Sequence, residues 1–345
     1  MTTTTSRAAH LICTAALLSA PLVAAAQRAD SGAQPPAAQS QRPAASGADQ
    51  AAPLFRSESE LVVMHVTVRD GRGAYVRGLE APAFRLLENG RPQDISVFAT
   101  QDAPATIGLI IDVSGSMEAN LARLAYTASR FADTGNAQDE VFAIVVGDRP
   151  RAVLPPEAPF ASDPHTLRTA IARAQHPGGL TALYDAVAEG LAYLERGSHA
   201  RRALVIVSDG IDNASRISFT ETMQRAMASN AVVYAVGLVD PISMSRDPGH
   251  LKQLARATGG EAFFPPSNQA AGDALEAVAE DIRQAYTLGF VPGTSPHDGT
   301  HHRLKVTVTA PDGRRLQVRT RDAYLAGGAV KDRRGLSGQA RQQGK

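Results

Sequence analysis

Tryptophan is missing, aromatic residues are scarce, and the only cysteine, Cys13, lies within the first 26 residues. If that segment is cleaved as an export signal, the mature chain has no thiol. No disulfide can then stabilise it, although disulfides are permitted where exported proteins go. Stability must come from a hydrophobic core. An excess of either charge is also missing, with 35 Lys and Arg against 34 Asp and Glu, so no basic stripe is available to neutralise phosphates and no nucleic-acid partner is expected. RNP, zinc-finger and helix-turn-helix signatures are absent too. Beyond the N-terminus no run is long and apolar enough to cross a bilayer, so no transmembrane segment is expected in the mature chain.

The N-terminus itself has the three parts of a cleaved export signal. Arg7 and His10 precede an apolar run from Leu11 to Ala26, and small residues, Ala24-Ala25-Ala26, close it before Gln27. Pro21 interrupts the run, which argues against a membrane anchor, and Ile12 before Cys13 is not the small residue that precedes a lipidated cysteine. Residues 1–26 are therefore read as a signal peptide, and the protein as secreted or periplasmic. Residues 27–54 are rich in Ala, Gln, Pro, Ser and Gly and cannot bury enough apolar surface to offset chain entropy, which predicts a disordered linker. Residues 327–345, rich in Gly, Gln and Arg, read as a disordered tail.

Three blocks lie between. In 55–102, Leu61 to Val68 is β-branched and partly alternating, Asp70-Gly71-Arg72-Gly73 is a turn, and Asn89-Gly90 separates Phe84–Glu88 from Ile95–Phe98. In 103–283 short apolar runs (Ile107–Ile111, Val141–Val146, Ala203–Val207, Val232–Val236) alternate with helical patterns at Met117–Ala132, Ala182–Leu194, Ser218–Ala228 and Gly249–Ala257. Unbroken apolar strands suit a mainly parallel sheet buried on both faces, so the block predicts a doubly wound α/β fold. Residues 284–326 return to strands, at Tyr286–Val291, Leu304–Val308 and Leu316–Arg319. Neither strand-only block is large enough to stand alone. They are expected to pair into one small β-domain in which the α/β domain is inserted.

The first α/β strand runs into Asp112-Val113-Ser114-Gly115-Ser116-Met117. Ligands of open parallel sheets bind beyond the carboxyl ends of strands, and alternate residues of an extended turn converge. Phosphate fits poorly, because the loop opens with a carboxylate and lacks a lysine and the G-x-x-x-x-G-K-[ST] pattern. A hard cation with oxygen ligands fits better; a serine-capped helix start is the plain alternative. Gly178-Gly179-Leu180-Thr181 places another hydroxyl where a loop enters a helix, and Ser208-Asp209-Gly210 places a second carboxylate at a strand's end. Taken singly, Thr181 reads as a helix cap and Asp209-Gly210 as a turn. Surface loops are expected to carry the whole set.

D-x-S-x-S followed by Gly-Gly-x-Thr and Ser-Asp-Gly resembles the metal-ion-dependent adhesion site of the von Willebrand factor A (VWA) family. The resemblance covers about 103–283. It implies that Ser114 and Ser116 ligate Mg²⁺ or Mn²⁺ directly, Thr181 directly or through water, and Asp112 and Asp209 largely through water. The open position then takes an Asp or Glu of a protein partner. The flanks, Val66-Thr67-Val68 with Asp70 and Gly73, Phe84–Arg91, Tyr286-Thr287-Leu288-Gly289-Phe290, and Arg321 to Tyr324, are similar to bacterial VWFA-related proteins of acidobacterial type.

Three neighbours of the motif invite other roles. Asp212 could reach the outer shell of a metal, but reads first as a turn former. Asp185 reads as a complement to its helix dipole, and Glu118 as ordinary first-turn chemistry. His301-His302 is no ligand pair, because adjacent strand residues face opposite ways. Enzyme chemistry is not expected: a haloacid-dehalogenase pattern needs an aspartate where Ser114 stands, and G-x-S-x-G, H-E-x-x-H and G-x-G-x-x-G do not occur. The expectation is an exported, metal-dependent adhesion or recognition module. The alternative is an assembly subunit of an envelope or secreted complex.

Overall fold

The unbroken apolar runs of the middle block become neighbouring strands of one sheet. The computed structural model describes residues 61–114, 131, 135–161, 163–174, 179–238, 248–293, 299–310 and 312–326. The expected signal peptide, the linker, the C-terminal tail, Glu118 and, apart from Phe131, the helix expected over Met117–Ala132 lie outside the described residues.

The central sheet contains β5 (Ala105–Asp112), β6 (Glu140–Val146), β7 (Pro150–Ala152), β8 (Arg201–Ser208), β9 (Val232–Gly237) and β10 (Ala262–Phe263), in the order β10-β9-β8-β5-β6-β7. All pairings are parallel except β6 with β7. Both faces are covered. On one, Ile107, Leu109 and Ile111 pack with Leu167 and Ile171 of α1 (Pro164–Arg173) and with Leu275, Val278 and Ile282 of α5 (Asn268–Gln284). On the other, Ile110 and Phe142 pack with Leu183, Val187 and Leu191 of α2 (Leu183–Leu194), Ala226 of α3 (Phe219–Ala228) and Leu251 and Leu254 of α4 (Pro248–Thr258). Continuous hydrophobicity was the readable sign of this double burial.

The flanks pair as expected. β1 (Val62–Arg69) runs antiparallel to β11 (Tyr286–Phe290), with Met64 opposite Leu288. β2 (Phe84–Glu88) runs antiparallel to β12 (His301–Val308), with Leu86 opposite Val306. Short strands β3 (Arg91–Gln93), β4 (Val97–Ala99), β13 (Gln317–Arg319) and β14 (Ala323–Leu325) complete two sheets, β13-β1-β11-β4 and β14-β12-β2-β3, around one apolar core. Asn89 and Gly90 both take positive φ, 48° and 82°, and close the β2–β3 hairpin. His302 is buried and its Nδ1 lies 2.8 Å from Glu88 Oε1, while His301 is exposed, so the two histidines do face opposite ways.

Buried polar groups join the β-domain to the α/β domain at the amino ends of the central strands. Arg201 donates to the carbonyls of Thr100, Ala103 and Ala285, on both chain crossings between the two parts. Arg321 donates to the carbonyls of Met227 and Ser229 at the carboxyl end of α3, where a cation is favoured by the helix dipole. Asp281 of α5 accepts from Arg69, Tyr75, Tyr234 and Arg319.

Candidate metal centre

At the opposite end of the sheet, Asp112 is the last residue of β5 and stands beside β8, whose last residue is Ser208. One carboxylate oxygen of Asp112 accepts the Ser114 N–H at 2.9 Å, and the other accepts the Ser208 hydroxyl at 2.7 Å. The Ser208 oxygen in turn accepts the Gly210 N–H at 3.0 Å, and Asp209 Oδ1 accepts the Ile211 N–H at 3.0 Å. Gly210 has φ +86°, which lets the chain turn sharply after the second carboxylate. Ser208 was quoted in the sequence only as the residue before Asp209; its role depends on the neighbouring strand.

Thr181 comes to the same edge by a different route. Its N–H donates to Asn213 Oδ1 at 2.6 Å, and its carbonyl accepts the N–H groups of Asn213 and Ala214. The next residue, Ala182, donates to the Gly147 carbonyl just beyond β6. Thr181 is thus tied to the loops after both β6 and β8. It is not the helix cap: Ala182 occupies that position, with no side-chain cap bond. Asp212 supplies the missing acceptor, taking the Tyr184 N–H and the Ser215 hydroxyl, so it braces α2 and its turn. Asp185 likewise accepts the N–H groups of Arg216 and Ile217 and fastens the loop after β8 to α2, a more specific role than dipole complementation.

The expectation of a site on exposed surface loops needs correction. Asp112 is 0% exposed and Ser114, Thr181 and Asp209 are 4%, 3% and 3% exposed. The reason is that β5 extends through Asp112 itself, so the carboxylate sits in the top layer of the sheet. Ser116 and Gly178 lie outside the described residues.

Burial raises the Asp112 pKa, the nearby charge of Asp209 raises it further, and the bonds from Ser114 and Ser208 act against both. Among the described residues no cationic side chain forms an ion pair with Asp112. Two buried carboxylates, Asp112 and Asp209, thus stand in mutual electrostatic range at this edge of the sheet. The donors are all oxygen, which suits Mg²⁺ or Mn²⁺ and not a thiolate- or imidazole-seeking ion. Among the described residues no three His, Cys, Asp or Glu side chains gather into a metal-binding group.

A profile of the von Willebrand factor type A domain matches residues 107–211, the span from β5 through the Asp209 loop. No curated protein sequence matches the chain. Among solved structures, a von Willebrand factor type A protein from Catenulispora acidiphila aligns at 14% identity over 78% of this chain and 75% of that one, with a TM-score of 0.46. The proximal thread matrix protein 1 of the mussel byssus, solved with a zinc-occupied MIDAS motif, aligns at 16% identity over 56% of this chain and 49% of its own, with a TM-score of 0.47. The vWF domain of the type V pilus tip protein Mfa5 from Porphyromonas gingivalis aligns at 12% identity over 53% of this chain and 96% of that one, with a TM-score of 0.45. With the matched profile, the doubly wound sheet and the D-x-S-x-S strand end in place, this chain carries a von Willebrand factor type A domain.

Proposed function

We propose that this is an exported protein-binding module, used in adhesion or recognition, that holds Mg²⁺ or Mn²⁺ at Asp112, Ser114, Ser116, Thr181 and Asp209. The observation that carries this reading is Asp112: a fully buried carboxylate beside Asp209, braced by Ser114 and Ser208 and without an ion-pair partner among the described residues. The serine and threonine hydroxyls serve as neutral ligands, and the carboxylates act largely through water. A bound cation supplies an electrophilic position for an Asp or Glu of the partner. With few direct anionic ligands the cation keeps much of its charge, and a carboxylate in a partly dry interface gains more from it than from an exposed ion pair.

The protein residues do the positioning. Ser208 orients the Asp112 carboxylate, Asn213 and Gly147 fix Thr181, and the loop bonds of Asp212 and Asp185 keep both segments in place. No step in this assignment needs a general base, and the protein is read as a non-enzyme. Export rests on the basic start, apolar run and small-residue exit of residues 1–26. No helix among the described residues is long and apolar enough to cross a membrane.

The test is capture of partners from envelope extract on the immobilised mature protein, followed by surface plasmon resonance with the captured protein. Binding in Mg²⁺ is expected to vanish in EDTA and in Thr181→Ala, and to require one acidic residue of the partner. Undiminished binding in EDTA overturns the reading.

A further inference from the structure

A groove of about 500 Å³ lies between β7 and α1, at the edge of the central sheet and apart from the metal centre. Its helical wall carries His165, Thr169 and Arg173, spaced four apart and therefore on one face of α1. The strand wall carries Arg151 and Ala152, with Leu154 below. Among the described residues no Asp or Glu lines the groove, and neither Arg151 nor Arg173 forms an ion pair. Arg151 does donate to the Ala174 carbonyl, which holds its stem across the end of α1. Both arginine side chains belong to exposed residues.

The main chain adds a second feature. Among the described residues β7 is the last strand of the sheet, so one of its edges has no partner strand there. The Val153 N–H bonds to the Ala143 carbonyl at 3.0 Å. Antiparallel bonding alternates, so Arg151 shares its main-chain bonds with β6 whereas the Ala152 N–H and C=O point the other way, towards the groove. Pro150 has no N–H, which leaves Ala152 as the point of register for an incoming chain.

We propose that this groove binds an extended acidic polypeptide segment, laid along the open edge of β7 with its carboxylates on Arg151 and Arg173. Guanidinium forks match carboxylates in a bidentate way. An open strand edge is read by polypeptide main chain, with alternate side chains supplying specificity. Small phosphates and acidic glycans share the charge but have no amide and carbonyl to place opposite Ala152. The site needs no cation and stands apart from the metal-dependent reading.

Fluorescence anisotropy tests this with the full mature chain and a labelled hexapeptide of alternating Glu and Val. The buffer contains EDTA, so a failure here says nothing of the metal centre. The probe is expected to bind, to weaken at least tenfold in the Arg151→Ala/Arg173→Ala double variant, and to weaken further as NaCl is raised. Replacing each Val of the probe by Pro, at the same charge, is expected to abolish binding. No binding by the wild type, equal binding by a folded double variant, or equal binding of the proline probe overturns the proposal.

Discussion

Acid should destabilise the protein through His65, and the size of the effect can be worked from its surroundings. His65 is 6% exposed, on β1, with Nδ1 3.3 Å from Thr287 Oγ1 and Nε2 facing the Arg202 N–H at 3.4 Å. A donor pointing at Nε2 requires that nitrogen to be the unprotonated one. Burial, followed by the charges of Arg201 and Arg321, lowers the His65 pKa from 6.5 to about 3. Because the folded value is the depressed one, the unfolded chain takes up the proton first. Stability is therefore intact above about 6.5, falls as pH drops below it, and stops falling below about 3. Each unit inside that window is worth about 1.4 kcal/mol, so the loss at pH 5 is about 2 kcal/mol. At pH 5 that figure depends on the unfolded value alone, since the folded ring is still neutral. The assay is urea unfolding at several pH values for the wild type and His65→Gln, whose amide keeps an acceptor near Arg202. All other titrating groups are common to both, so the difference isolates His65. The wild type should lose about 2 kcal/mol more than the variant between pH 7 and pH 5. Parallel pH profiles would refute the assignment of a neutral, buried imidazole.

Asp281→Ala should destabilise the protein by about 1–3 kcal/mol in the same assay, because the buried Tyr234 hydroxyl and the half-buried Arg319 would lose their acceptor. Burial on its own would raise the Asp281 pKa, but Arg319 and the Tyr234 hydrogen bond outweigh it and hold it below the usual range. The stability it contributes is thus present at neutral pH and lost as pH falls through the carboxylate range. Gly179→Ala should lower the thermal midpoint by an amount equivalent to about 1–3 kcal/mol. Gly179 has φ +118°, and an added Cβ would lie 2.5 Å from Asp148 Oδ1, the atom that holds the Leu180 N–H next to Thr181. A midpoint equal to that of the wild type in scanning calorimetry would show that this loop is not constrained as described.

The strands of the α/β domain were legible because burial on both faces leaves an unbroken apolar run inside each: Ile107–Ile111 in β5, Val141–Val146 in β6, Ala203–Val207 in β8 and Val232–Val236 in β9. The flanking strands were legible from β-branched alternation and from two turns that demand special backbone. Two helices were not picked out. In α5 half of the apolar buried face is alanine, Ala271, Ala274 and Ala279 beside Leu275, Val278 and Ile282, and alanine gives little contrast to a periodic pattern. In α1 only Leu167 and Ile171 are buried. Of the three-residue strands, β13 lies within the expected Leu316–Arg319 and β4 overlaps the expected Ile95–Phe98, whereas β3 and β14 were not picked out and are defined by their pairing with β2 and β12.

The site divides in the same way. Asp112, Ser114, Thr181 and Asp209 could be proposed from the sequence because each stands in a short motif that is read locally. Ser208, Asn213 and Asp212 act across strands and loops, and Asn213 in particular has no sequence cue for its hold on Thr181. The arginines that join the two domains were equally silent. Arg201 reads as an ordinary charged strand start until Thr100, Ala103 and Ala285 are seen around it.

Isothermal calorimetry of Mg²⁺ and Mn²⁺ binding, on the mature wild type and on Asp112→Asn and Ser114→Ala, tests the central claim most directly. Asp112→Asn preserves an acceptor for Ser114 and Ser208 while removing the charge, so circular dichroism should match the wild type. The account predicts weak to moderate cation binding by the wild type, none by Asp112→Asn, and reduced affinity in Ser114→Ala. Equal cation binding by the wild type and a folded Asp112→Asn variant would contradict it.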